Sequence, residues 1–320
     1  MRVDRLMQRK RGWVPNAAGV YVPAPATGTL NLDFTTGSMP AGTTFTRAST
    51  GWYVNSSGNL VSAAVDTARL DYAPTGLASR GILIEPAATN LATQSNTFTN
   101  AAWTKSNASV AQNVVGPEGS ANSATTMTND ATNSFHRAYQ GVTSGVHANS
   151  IYAKAGTASF MLLSSFVGTG NGVIFNLSTG AIDTTLGSDV GYIEDAGNGW
   201  YRCSVYNPSS SGFHIFYIGE TAGQLNPIDT AYVGTSKTIL LYGAQAELAS
   251  AANKLTSYIP TLGSTVTRSA DNLGFTIPSG ISNLTYTFDD SSTQVVAVTP
   301  GAYTVPTNLN RPRIKTIVGS

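Results

Sequence analysis

One cysteine, three histidines and a charged fraction of only 11% set the first limits on this 320-residue chain. A lone Cys203 excludes an intrachain disulfide framework, and no Cys/His cluster has the spacing of a zinc site. No Asp-x-Asp-x-Asp loop offers calcium ligands and no Gly-x-Ser-x-Gly elbow offers a nucleophile, so neither a metal nor a cofactor is expected. No run of 18 or more apolar residues is present to span a bilayer as a helix. The basic amino terminus is not followed by a sustained apolar stretch, which argues against a signal peptide. Folding in a cytoplasm, without membrane insertion, is the expectation.

Charge is replaced by Gly, Ser, Thr, Ala and Asn, with 14 Tyr and 11 Phe supplying aromatic mass. That mixture favours strands and turns over helices, which draw on Glu, Lys, Leu and Arg. Two stretches echo each other across the chain, Phe45-Thr-Arg-Ala-Ser-Thr50 and Val266-Thr-Arg-Ser-Ala-Asp271. Each alternates around a single Arg, as a half-buried strand does. They are expected to be the first and last strands of one β unit, paired with each other. Further strands are expected in series, including Trp52–Val54 and Leu60–Ala63 joined by a Ser57-Gly58-Asn59 hairpin turn, Gly81–Ile84, Asn149–Lys154, Val190–Asp195, Trp200–Tyr206, Gly212–Glu220 and Thr238–Glu247. The fold class is therefore all-β, most simply a jelly-roll β-sandwich, with an extended N-terminal arm and a small C-terminal β-meander. The expected divisions are 1–29 for the arm, 30–272 for the sandwich and 273–320 for the meander. Residues 1–11 and Asn96–Trp103 are the two places where short helix is expected.

The few charges are unevenly spread. The first eleven residues carry +4 and the last ten +3, leaving −6 on residues 12–310 of a chain whose net charge is +1. An acidic interior without a nucleic-acid motif argues against a nucleic-acid partner. Docking arms that reach neighbouring subunits explain both basic ends. Arg5, Arg9, Lys10, Arg11 and Trp13 are the candidate anchoring residues.

No catalytic residue is assigned. His136, His147 and His214 lie far from any nucleophile signature, and among the 17 acidic residues the carboxylate pairs Glu194/Asp195 and Asp66/Asp71 are the candidates for glycoside hydrolysis. Neighbouring residues on a strand face opposite ways, which counts against the first pair. Asp183, Asp189 and Asp229 flank turns. Glycan binding asks for less: an aromatic ring for a sugar face and polar side chains for its hydroxyls. Trp103, Phe135, His136 and Tyr139, in turn-rich sequence, are the candidate glycan-binding residues.

A longer series of motifs runs through the chain in order. It comprises Phe45-Thr-Arg-Ala-Ser-Thr50, Gly81-Ile-Leu-Ile-Glu-Pro-Ala-Ala-Thr-Asn-Leu91, Ala101-Ala-Trp-Thr-Lys105 and Ser150-Ile-Tyr-Ala-Lys154. It continues with Phe175-Asn-Leu-Ser-Thr-Gly180, Gly197-Asn-Gly-Trp-Tyr-Arg-Cys203, Tyr242-Gly-Ala-Gln-Ala-Glu247, Thr256-Ser-Tyr-Ile-Pro-Thr261 and Val266-Thr-Arg268. Over residues 43–272 this series resembles the phage head spike fibre domain, a jelly-roll module of bacteriophage and gene-transfer-agent appendages. Ala246 stands where that family usually has Leu, a change at a packing position. The resemblance implies a virion structural protein, assembled in the host cytoplasm and displayed on the particle exterior as a spike or fibre. Its implied partners are capsid, collar or tail proteins, further copies of itself as a homotrimer, and host surface polysaccharide. The shared motifs supply framework residues and carry over no binding residue. A decoration or cement protein without glycan binding, and a polysaccharide depolymerase, are the two alternative expectations.

Overall fold

The computed structural model describes residues 13–15, 21–23, 28–166, 170–226, 230–249 and 255–320. Antiparallel sheets make up the fold; helix among these residues is limited to a 3-10 turn at Ala222–Gln224. The chain is all-β, as its composition demands. Residues 96–103 form turns in place of the expected helix, and residues 1–11 lie outside the described residues.

The largest sheet has ten strands and is built around two very long ones, Arg137–Ala155 and Trp200–Gly219, which pair along most of their length. Register shifts interrupt that pairing between Gly141 and Gly145 and again between Val146 and Ala148. Extra residues at such bulges bend a strand and increase its twist. The sheet consequently folds over itself. One half carries strands Ala108–Val114, Ala124–Asn129, Thr238–Leu248 and Val190–Gly197. The other carries Thr104–Ser106, Phe160–Ser164, Gly172–Asn176 and Ala181–Leu186. Ile151, Cys203 and Leu241 from the first half and Met161, Phe175 and Phe216 from the second belong to one buried core. The expected strands Trp200–Tyr206 and Gly212–Glu220 are one continuous strand, and the expected Asn149–Lys154 is part of a strand that begins at Arg137.

A second core joins the two ends of the chain. Strand Arg313–Gly319 sits between Asn283–Phe288 and strands from the first third, Asn31–Asp33 and Ser79–Leu83. Strand Asn272–Ile277 pairs with Thr44–Thr46. Leu32, Phe34, Ile82 and Ile84 therefore share their interior with Phe275, Tyr286, Phe288, Ile314 and Ile317. The division at residue 272 is corrected accordingly. The last 48 residues do not close as a meander of their own, because so few strands bury little apolar surface alone. Gly81 shows how closely the two ends meet: its φ is +83°, and a Cβ there would sit 2.0 Å from the Ile314 carbonyl oxygen.

The pairing expected between the echoing motifs is also corrected. Phe45 lies opposite Leu273, just beyond the second motif, while Val266–Arg268 pairs with Ala88–Asn90. The two motifs meet through side chains instead. The hairpin Gly51–Val54 with Leu60–Ala63 forms around Gly58 as expected.

Candidate functional site

The echoing arginines converge on one carboxylate. Arg47, Arg69, Glu85, Arg268 and Asp271 are all buried, at 3% exposure or less. Asp271 Oδ1 lies 3.2 Å from Arg47 and its Oδ2 2.5 Å from Arg69, while the Glu85 backbone N–H donates to Oδ2 at 2.8 Å. Glu85 Oε2 in turn lies 2.8 Å from Arg69 and 3.4 Å from Arg268. Three guanidinium groups thus enclose two carboxylates. Remaining donors reach backbone: Arg47 to the Ser49 and Ala64 carbonyls, Arg268 to the Pro86 carbonyl. Burial alone would raise the Glu85 carboxyl, but Arg268, Arg69 and the Ser257 hydrogen bonds outweigh it and hold it at about 2. Burial likewise works against the Arg69 charge, and Glu85 and Asp271 overcome it to push its pKa up. Only the Arg69 and Arg268 Nε atoms lack a hydrogen bond in this cluster, and a buried, ion-paired group of this kind ties strands together.

A second network spans the seam between the two cores. Arg313 Nε lies 2.6 Å from Asp71 and its NH2 3.3 Å from Glu194; Arg80 reaches the same Glu194 oxygen at 2.5 Å. Beside it, Leu60, Tyr152, Trp200, Tyr242 and Tyr258 form an aromatic-rich cluster against the outer face of the large sheet. The carboxy-terminal cations therefore bind within the chain: Arg311 holds Asp289 at 2.6 Å, and Lys315 donates to the Asp289 carbonyl at 2.8 Å. The docking role expected of that end gives way to an intramolecular one, since strand Arg313–Gly319 buries Ile314 and Ile317, three residues apart across a register shift, in the second core.

A cleft of about 240 Å³ opens along this seam, lined among others by Tyr192, Glu194, Arg202, Ser204, Asn310 and Arg313. The hairpin that positions four of them is local chemistry. Asn198 and Gly199, with φ of 53° and 77°, form a two-residue loop between Gly197 and Trp200. Asn-Gly is the sequence that tolerates positive φ at both central positions of a hairpin turn. The resulting register sets Glu194 opposite Arg202 and Tyr192 opposite Ser204, on one face. Burial opposes the Glu194 charge, but Arg313, Arg80 and Arg202 win and lower its pKa.

The sequence-selected residues fall elsewhere. Trp103 is 1% exposed, packed 5.0 Å from Phe98 and 5.4 Å from Phe216, with its indole N–H donating to the Gln94 carbonyl at 2.8 Å. His136 is equally buried, with its ring nitrogens 2.5 Å and 3.2 Å from the Asn107 and Tyr232 carbonyls. Neither can reach a glycan, and both are withdrawn as binding residues. Phe135 and Tyr139 are half-buried around Arg137, whose guanidinium lies 4.1 Å and 5.3 Å from their ring centroids. Those rings are brought together, but toward an internal cation. Arg5, Arg9, Lys10 and Arg11 lie outside the described residues; Trp13 belongs to a strand, Trp13–Pro15, paired with Tyr21–Pro23.

The carboxylate pairs have structural partners too. Asp66 accepts the Arg47 backbone N–H, Asp71 accepts from Val54 and Arg313, and Asp195 accepts from Gly197. His214 is buried, which lowers its pKa to about 4, and its Nε2 faces the Ser150 carbonyl at 2.9 Å. No group of three or more His, Cys, Asp or Glu side chains among the described residues is placed to hold a metal. The seam residues Tyr192, Arg202 and Asn310 escaped the sequence reading. Register across Asn198-Gly199 could have paired Glu194 with Arg202, but nothing local brings Asn310 to them. Comparison with protein-family models and with curated proteins finds no match to this chain.

Proposed function

We propose that this chain is a structural protein of a bacteriophage-like particle, displayed on the exterior, whose β body binds host surface glycan without cleaving it. The observation that supports this reading is the placement of the motifs in which it resembles the spike fibre domain. Arg47, Glu85 and Arg268, from three separate motifs, meet in the buried ionic cluster. Asn90, from the same motif as Glu85, and Gln245, from a fourth, hydrogen-bond the Ile259 backbone within a fifth. Residues scattered over two hundred positions thus act as one framework, which supports reading them as the signature of one fold. A body cross-linked in this way suits display, where shape must persist outside the cell.

Residues 1–29 serve as the anchoring arm to capsid, collar or tail proteins, and copies associate as a homotrimer. Several copies on one particle raise avidity well above single-site affinity without new contacts. Reconstruction of purified particles, with the chain located by labelling, tests the assignment. Density for the chain on the exterior is expected; its absence from purified particles overturns the reading. Exterior location with no glycan retained by the assembled protein favours the cement alternative.

A further inference from the structure

The arginines around the seam have carboxylate partners with one exception. Arg80 and Arg313 share Glu194, Arg311 holds Asp289 and Asp290, and Arg69 and Arg268 hold Glu85. Arg202 has no carboxylate within ion-pairing distance among the described residues. Its cross-strand neighbour Glu194 is drawn instead to Arg80, at 2.5 Å. Arg202 donates once, from NH2 to Ser150 Oγ at 3.0 Å, and lies 5.7 Å from the Tyr152 ring centroid; its Nε, like those of Arg69 and Arg268, is buried with no hydrogen bond. What sets Arg202 apart is a guanidinium at the cleft wall without a carboxylate partner, the group that a bound anion would neutralise.

The space beside it is suited to a sugar. At about 240 Å³ the cleft is smaller than a drug-sized pocket, which runs to roughly 300–1,000 Å³, and has room for one pyranose ring. Tyr192, 40% exposed, supplies an aromatic surface at the wall. The side-chain amide of exposed Asn310 has no hydrogen bond among the described residues, and Glu194 presents a second carboxylate oxygen as acceptor. A phosphate, with up to two charges, would meet one guanidinium without an ion pair and the adjacent Glu194; a single carboxylate matches Arg202 better, in the forked geometry that guanidinium favours.

We infer that this cleft binds one carboxylated sugar residue of a surface polysaccharide, with Arg202 pairing its carboxylate, Asn310 and Glu194 its hydroxyls, and Tyr192 its ring face. The inference rests on the glycan-binding reading above and assigns it a site and a sugar class.

The test uses the full chain and a panel of immobilised oligosaccharides: galacturonate, glucuronate, mannuronate and sialate, their methyl esters, and neutral hexose oligomers. A Glu-rich peptide supplies carboxylate without sugar. Parent protein is compared with Arg202→Gln and Tyr192→Ala, each checked for an unchanged melting midpoint and continued protection of buried Cys203 from thiol reagent. At least one acidic glycan should bind, at least tenfold more weakly when esterified and at least tenfold more weakly to Arg202→Gln. Tyr192→Ala should lose several-fold. Equal binding by Arg202→Gln, equal binding of esters, or equal retention of the peptide overturns the site. Retention of neutral glycans only overturns the acidic assignment while leaving glycan binding in place, and retention of none overturns both.

Discussion

Asp271→Asn removes one negative charge from the buried ionic cluster while keeping its shape. Asp271 faces Arg47 at 3.2 Å and Arg69 at 2.5 Å, and receives the Glu85 backbone N–H at 2.8 Å. An asparagine can still accept two of these hydrogen bonds. It cannot neutralise the guanidinium groups, so three buried cations would face Glu85 alone. Breaking a buried ion pair by removing one partner costs about 3–5 kcal/mol. In a chain of this length each kcal/mol lowers the melting midpoint by about 2 °C, so a fall of roughly 6–10 °C is expected. Circular dichroism or differential scanning fluorimetry at neutral pH would measure it. The matched control is Asp290→Asn in an exposed surface pair with Arg311, where little change in the melting midpoint is expected. An Asp271→Asn midpoint within about 2 °C of the parent would refute the claim that this cluster holds the strands together.

Three further outcomes follow from the same geometry. Glu85 is held at about 2 against an ordinary value of 4.5, so its stabilising contribution is complete above pH 4.5 and disappears as pH falls toward 2; acid titration of the melting midpoint should show a loss of about 3 kcal/mol in that window. Asp189 behaves oppositely: burial lifts its pKa to about 7 despite the hydrogen bond from Asn207, and its Oδ2 has no partner. The folded state then holds a proton the unfolded state has released between pH 3.8 and 7, so stability falls as pH rises there, and Asp189→Asn should raise the midpoint at pH 8 while leaving it unchanged at pH 3. Gly81→Ala places a Cβ 2.0 Å from the Ile314 carbonyl at a positive φ, so it should cost about 3 kcal/mol or more and expose strand 313–319 to hydrogen exchange.

What the sequence disclosed was local. Alternation in Leu284, Tyr286 and Phe288 faces one core, and the Gly58 and Asn198-Gly199 turns close their hairpins. Strand 313–319, which carries Arg313 and Lys315 on either side of buried Ile314, looked like a charged tail because its partners on one side, Asn31–Asp33 and Ser79–Leu83, lie over two hundred residues away. Strand Ala124–Asn129 alternates in burial from Thr125 to Asn129, but its buried side chains are Thr, Met and Asn, so its hydropathy does not show the period. The Arg47 and Arg268 echo was visible as pattern, but its meaning depends on Asp271 and Glu85 meeting both. Trp103 misled because an indole in turn-rich sequence can just as well cap a sandwich core, and here it does. Arg202 is informative only by what it lacks, and a missing partner is a tertiary property.

The central claim is that this chain works by holding a glycan, with no reaction performed on it. Incubating the assembled protein with purified acidic bacterial surface polysaccharide, and measuring retention and new reducing ends in the same sample, tests it most directly. Retention with no increase in reducing ends is the predicted result. Release of reducing ends would contradict the account by making the protein a depolymerase, and failure to retain any polysaccharide would contradict it by removing the ligand.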